Sequence, residues 1–280
     1  MLDLIKNTLR FHTFNKFFFI GAGLLLFLGL KTYSNDMGSL ITEPLSYGII
    51  PVCAVVILNI STEMSSGGYR RKLTASYTKP QVFFAMILSS AICASALFLM
   101  IAIPAYASLG TPQSFLTIYL IYMLSSTVSA CLTINLKIHA FAVLAVLFIG
   151  AMLVALTEPV QDALDVDKYE YHTIYDAAKA EQIGVREATT VERSPNPNYP
   201  EGFHRAVLKT LAYANPYSQI TYTLMILDLN EFPLGYNQDV EYTMKYIVTQ
   251  EHWCFPLITA GLTGIISAVG YLVFRKKDLR

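Results

Sequence analysis

Ser61-Thr62-Glu63-Met64-Ser65-Ser66-Gly67-Gly68-Tyr69-Arg70-Arg71-Lys72-Leu73-Thr74-Ala75-Ser76-Tyr77-Thr78-Lys79 is a polar, basic stretch set between two long apolar runs. Crossing a hydrocarbon core of about 30 Å takes roughly 20 apolar residues as helix. The runs on either side meet that length, so the stretch reads as the connection between two membrane spans.

Working outward, six apolar segments qualify as spans: Phe17 to Tyr33, Leu40 to Ile60, Pro80 to Ala107, Gln113 to Leu136, Ile138 to Leu156 and Cys254 to Phe274. Composition agrees, with 54% hydrophobic residues, 14% charged residues and a mean hydropathy of +0.45. A soluble chain of this length does not carry so apolar a surface. The expected fold class is an all-α membrane protein with six transmembrane helices. An N-terminal interfacial helix (1–16) precedes helices one to five (17–156), with the connection at 61–79. A mainly helical extracellular insert (157–253) separates helix five from helix six and its basic tail (254–280).

The net charge of zero divides unevenly. Twelve Lys and Arg residues, among them Arg70, Arg71, Lys72 and Lys79, fall on one side with three acids, whereas the insert carries seven basic and fifteen acidic residues. Short loops rich in Lys and Arg stay inside, so both termini are expected to be cytoplasmic in a multi-pass protein of the plasma membrane. The apolar run Phe17 to Leu30 follows a basic stretch as in a secretory signal, but no small-x-small cleavage site follows it, and it reads as a retained span. In the first sixteen residues Leu2, Ile5 and Leu9 share one helical face opposite Asp3, Lys6 and Arg10, the pattern of a helix lying in the inner interface.

Catalytic signals are missing from the sequence. Five scattered histidines form no His-x-x-x-His pair, and no phosphate-binding glycine loop or nucleophile elbow is present. Cys53, Cys93 and Cys131 lie inside spans and Cys254 at the edge of one, without a C-x-x-C spacing, so they read as packing residues. The chain is therefore not expected to be an enzyme, and neither a metal, a cofactor of its own nor a nucleic-acid partner is expected. From Pro80 onward no ionisable residue sits near the centre of a span, which disfavours ion coupling through buried carboxylates. Small residues recur at packing intervals: Ser89 with Cys93, Ser90 with Ala94, Ser125 with Ser129 and Thr133, and Gly261, Gly264, Ser267 and Gly270.

Within the insert, Tyr171, Ile174, Tyr175 and Ala178 follow helical spacing and predict a helix from Asp167 to Gly184. The run Ser194 to Gly202 reads as a loop, and Phe203 to Ala214 as a helix that breaks at Asn215-Pro216 and resumes to Leu229. Ten of the eighteen tyrosines lie in the insert, which suits either a ligand grip or a small amphipathic cap.

In the connection, Gly67-Gly68 predicts a tight turn before a short helix, and Lys79-Pro80 suits the start of the next span. Three consecutive cations spread over about 200° of a helical wheel, so they cannot all face one partner. An acid at the end of span two, a glycine pair, Arg70-Arg71-Lys72-Leu73 and then Tyr77-Thr78-Lys79 resemble the cytoplasmic connection of ABC-2 type permeases. The tail Phe274-Arg275-Lys276-Lys277-Asp278-Leu279-Arg280 is similar to the basic ending of many members.

That resemblance implies a permease that pairs with a second copy or homologue and engages a separate ABC ATPase, which would bind ATP and Mg. Membrane lipid and a transported substrate are the other implied partners. Glu63, Tyr69, Arg70, Arg71, Lys72, Tyr77 and Lys79 would then be the ATPase-coupling residues. A single permease with a large fifth-to-sixth insert resembles those beside peptide or antimicrobial export and immunity systems. Polysaccharide or lipid export is the alternative within the family, and a membrane sensor or assembly protein with a ligand-binding outer cap is the alternative outside it.

Overall fold

The computed structural model describes residues 1–34, 45, 47–105, 112–136, 139–175, 189–231 and 252–276. The expected start of the second span at Leu40, part 176–184 of the expected insert helix and the tail from Lys277 lie outside the described residues.

The described chain is mostly helix. In order, α1 is Leu2–Thr13, α2 Lys16–Ser34, α3 Ile49–Ser65, α4 Gly68–Thr74, α5 Lys79–Ala105, α6 Pro112–Asn135 and α7 His139–Asp165. A hairpin follows, of β1 (Tyr169–Tyr175) and β2 (Thr189–Pro195), then α8 (Gly202–Ala214), α9 (Pro216–Glu231) and α10 (Phe255–Lys276). Four helices are long and apolar enough to cross a membrane: Lys79–Pro104, Pro112–Asn135, Ala140–Asp165 and Phe255–Lys276. Two bent pairs, Leu2–Thr13 with Lys16–Leu30 at 65° and Ile49–Ser65 with Gly68–Thr74 at 59°, raise the number to as many as six.

α6 is the axis of the bundle, packed by α3, α5, α7, α9 and α10. Its apolar window is 61% buried against 6% for α7, so α7 turns nearly all of its surface outward. In lipid, dispersion and close approach hold helices together, because the tails are as apolar as the side chains. Glycine supplies that approach where α2 crosses α5: a Cβ on Gly29 would lie 2.9 Å from the Ile101 carbonyl oxygen. The same holds at the α6–α10 crossing, where one on Gly270 would lie 2.6 Å from Cys131 Sγ. Ser89, Ser90, Cys93, Ala94, Ser129 and Thr133 are buried inside the chain, whereas Gly261 and Gly264 meet nothing within 4 Å.

Two apolar clusters set the ends of the bundle. Leu4, Tyr69, Ile134 and Phe274 share one cluster, which gathers α1, α4 and the C-terminal turns of α6 and α10 at the same end. Val160, Leu164, Ala212, Tyr222 and Phe255 share the other, where the insert helices sit. α7 runs past the expected limit at Leu156 to Asp165, with Pro159 inside it. Insert and bundle are joined by hydrogen bonds: Asn215 Nδ2 donates to the Leu153 carbonyl (2.8 Å) and Thr157 Oγ1 (3.0 Å), and Thr259 Oγ1 donates to Gln219 Oε1 (2.6 Å).

One expectation needs correction. The helix predicted from Asp167 begins instead as β1, antiparallel to β2 with Tyr169 opposite Pro195 and Tyr175 opposite Thr189, so a hairpin stands beside the helices that make up the larger part of the insert among the described residues. Tyr-Glu-Tyr-His-Thr-Ile-Tyr is rich in aromatic and β-branched residues that fit a pleated surface better than a helix, and Arg193 caps the Tyr169 ring at 3.5 Å. α1 meets the bundle through one further face. Leu4, Thr8 and His12 are buried, while Leu2 is 80% exposed. Asp3, Lys6 and Arg10 stay exposed, and Thr8 and His12 turn toward the bundle, where polar partners exist. The helix pair Gly202–Ala214 and Pro216–Glu231 appears as expected, broken at Asn215.

Candidate functional site

Why does the chain turn after Ser65? Gly67 takes a left-handed conformation (φ 73°), which costs a residue with a Cβ about 1 kcal/mol or more. Gly68 lies so close to the end of α3 that a Cβ there would stand 3.0 Å from the Glu63 carbonyl oxygen. Together they reverse the chain into α4, whose seven residues Gly-Tyr-Arg-Arg-Lys-Leu-Thr are too few to persist without tertiary support. α5 starts cleanly, because Gln81 Oε1 accepts from the Thr78 amide at 2.9 Å, one half of a capping box.

That support comes from a buried polar latch. Glu63 is 3% exposed at the last turn of α3. Its Oε2 accepts from His12 Nε2 of α1 at 3.0 Å, and its Oε1 accepts from Lys72 Nζ of α4. A carboxylate only accepts, so His12 Nε2 carries the proton in this contact. Lys72 Nζ also donates to Thr8 Oγ1 at 2.6 Å, and Asn59 Nδ2 donates to the His12 carbonyl at 3.1 Å. Two cation-capable groups thus converge on one buried acid from two other helices, the arrangement that lets a charge remain away from water.

An aromatic anchor lies beside the latch. Tyr69 is 5% exposed, and its ring meets Phe274 of α10 edge-on at 5.8 Å. Phe274 in turn stacks obliquely on Phe83 of α5 at 5.3 Å. α4 is therefore pinned by charge to α1 and α3 and by rings to α5 and α10.

The seven residues singled out from sequence divide into two groups. Glu63, Tyr69 and Lys72 face into the protein and touch its own helices, and Tyr77 packs half-buried against the same apolar cluster. Arg70 and Arg71 are exposed, with Arg71 Nη2 donating back to the Ser66 carbonyl at 3.2 Å. Lys79 is half-buried at the first turn of α5. Sequence reasoning missed Thr8 and His12. The available signal was Glu63 itself, since an acid at the end of an apolar helix requires a cationic partner, and His12 lies two helical turns beyond Leu4 on the same face.

Among the described residues, no cluster of three or more His, Cys, Asp and Glu residues is placed to hold a metal ion. The four cysteines are free, three of them buried in helix contacts. What this end of the molecule offers chemically is a rigid platform that shows two guanidinium groups and hides its acid. No protein-family model and no curated protein sequence matches the chain.

Proposed function

We propose that the chain is the permease subunit of an ATP-driven exporter of the ABC-2 type, with α4 as the element that receives force from a separate ATPase. One observation carries this reading: a short basic helix sits between two apolar helices, locked on its inner side to α1, α3, α5 and α10 and open on its outer side at Arg70 and Arg71. A push on such a helix moves its four neighbours together, because the latch and the ring stack leave it no independent freedom. ATP and Mg belong to the partner, and two permease subunits together would enclose the path.

In this reading the end bearing α1, α4 and Lys276 faces the cytoplasm of a cell-membrane protein, in line with its surplus of Lys and Arg. The acidic insert caps the outer end, and its charge favours cationic peptides or peptide antimicrobials as cargo. The resemblance of Glu63 to Lys79 to the family's connection supports the same assignment.

Purification of the full chain from its native membrane, followed by measurement of ATP hydrolysis, tests the reading. The native complex is expected to hydrolyse ATP through a co-purifying subunit with a phosphate-binding loop. Arg70→Glu/Arg71→Glu is expected to reduce that activity at least about tenfold with the melting temperature of the chain unchanged, since exposed charges add about 1 kcal/mol or less to folding. A preparation that brings down a kinase or no nucleotide-hydrolysing partner would overturn it in favour of a sensor.

A further inference from the structure

α1 turns Leu4, Thr8 and His12 into the bundle and leaves its opposite side free. On that side Leu2, Lys6, Arg10 and Phe14 recur every fourth residue, and all of them are exposed. At about 100° per residue, the midpoint of Lys6 and Arg10 lies about 180° round the axis from the midpoint of the buried three. Lys6 and Arg10 stand one turn apart, with Cβ atoms about 6 Å from each other. Asp3, also exposed, sits in the first turn, where its charge suits the helix N-terminus. None of these three charged groups forms an ion pair among the described residues.

The surroundings of this face are those of a membrane surface. α2, itself apolar, follows after a break at Phe14 and Asn15, and α1 is bent 65° from it. A helix so inclined lies nearer to the bilayer plane than to its normal when α2 crosses upright. Phe14, Phe19 and Ile20 are exposed at the junction, where acyl chains cover such side chains and water does not. Lys6, Arg10 and Lys16 stand exposed beside them, and Asp3 is the one acid in the first twenty residues.

We propose that the outward face of α1 is a docking site for anionic phospholipid, whose phosphodiester is held between Lys6 and Arg10 while its acyl chains lie against Phe14 and Phe19. The bound lipid steadies the latch through the same helix. Charge selects the class: a zwitterionic headgroup brings a cation of its own into competition with Lys6 and Arg10, whereas an anionic headgroup brings none. The apolar ends of the stripe, Leu2 and Phe14, select lipid over an acidic protein, which would leave them in water. The inward side of the same two turns carries the groups that close the latch. Thr8 Oγ1 accepts from Lys72 Nζ at 2.6 Å, and His12 Nε2 meets Glu63 Oε2 at 3.0 Å. Restraint on Lys6 and Arg10 therefore restrains Thr8 and His12, and through them α4. The site stands whether or not an ATPase attaches at α4.

The full chain in maltoside micelles, offered dioleoylphosphatidylglycerol and dioleoylphosphatidylcholine in equal amounts, tests the site by native mass spectrometry. Retention of phosphatidylglycerol is expected to exceed that of phosphatidylcholine about tenfold or more, and Lys6→Gln/Arg10→Gln to bring the preference below about threefold. Arg275→Gln/Lys276→Gln removes the same charge from exposed positions at the same end and is expected to keep the preference within about twofold of native. In nanodiscs, exchange of part of the phosphatidylcholine for phosphatidylglycerol is expected to slow tryptic cleavage after Arg70 and Arg71 about threefold or more in the native chain and to leave Lys6→Gln/Arg10→Gln unaffected. Equal retention of the two lipids, or an equal loss of preference in both double variants, would overturn the site. Cleavage indifferent to phosphatidylglycerol would overturn its link to the latch. A Lys6→Gln/Arg10→Gln chain that keeps its lipid preference but hydrolyses less ATP in every lipid would assign the face to a protein partner and refute the proposal.

Discussion

Removing Lys72 isolates the buried acid of the latch, and the cost follows from the geometry. Glu63 is 4% exposed at the side chain and Lys72 15%. Loss of one partner from a buried ion pair costs about 3–5 kcal/mol, because the remaining charge keeps its desolvation penalty. His12 stays within 3.0 Å of Glu63 and Lys72 is open to some solvent, which brings the expectation for Lys72→Met down to about 2–3 kcal/mol. Glu63→Gln leaves the Lys72 ammonium against Thr8 alone and is expected to cost a similar amount. The double variant Glu63→Gln/Lys72→Met removes both charges, so it should fall within about 1–2 kcal/mol of the native chain. The assay is a double-mutant cycle on unfolding in detergent, read in parallel with tryptic cleavage after Arg70 and Arg71, which reports local release of α4. If the two single changes add to within about 0.5 kcal/mol of the double, the side chains are uncoupled and the latch is refuted.

Two further outcomes concern the bundle. Gly270→Val forces a Cβ to 2.6 Å from Cys131 Sγ and strains the bond from Asn135 Nδ2 to the Gly270 carbonyl; a loss of about 1–3 kcal/mol in unfolding free energy is expected from overpacking, whereas Gly261→Val, in open space, should be near neutral. Asn215→Leu deletes both of its bonds to α7 and its cap on the Tyr217 amide, while the Leu153 carbonyl keeps Thr157 Oγ1 as a donor; a cost of about 1–2 kcal/mol should appear as faster proteolysis at the α8–α9 break before the spans themselves unfold.

The spans were legible because their signal is compositional. A run such as Pro80 to Ala107 has no soluble alternative, and the helix over Lys79–Ala105 matches it to within two residues. The ends were less legible: α7 continues to Asp165 since Glu158, Gln161 and Asp162 are good helix formers or tolerated beyond the apolar part, a matter hydropathy does not weigh. A wheel of α1 sorts apolar from charged residues and does not weigh the neutral polar ones between them. The reading of that helix passed over Thr8 and His12, which supply the partners that Glu63 and Lys72 require. The hairpin was obscured by four residues that fit a helix face by spacing, although the aromatic and β-branched content of 169–175 favoured a strand. At the connection, the residue types were legible but their roles were not: which of three adjacent cations turns inward depends on where α1 lies, and only the folded arrangement settles that.

Hydroxyl groups on α6 have a mechanical meaning. Thr117, Thr127, Ser129 and Thr133 each donate to the carbonyl four residues earlier in the same helix, at 2.7–3.0 Å. Their polarity is spent inside one rod, and they ask nothing of adjacent rods. Other groups on α6 do cross to neighbouring segments, among them Tyr122 to the Leu45 carbonyl and Asn135 to the Gly270 carbonyl. A shaft so lubricated can slip or roll by a fraction of a turn without stranding those hydroxyls in hydrocarbon, and the bonds it must exchange to do so are clasps of the second kind.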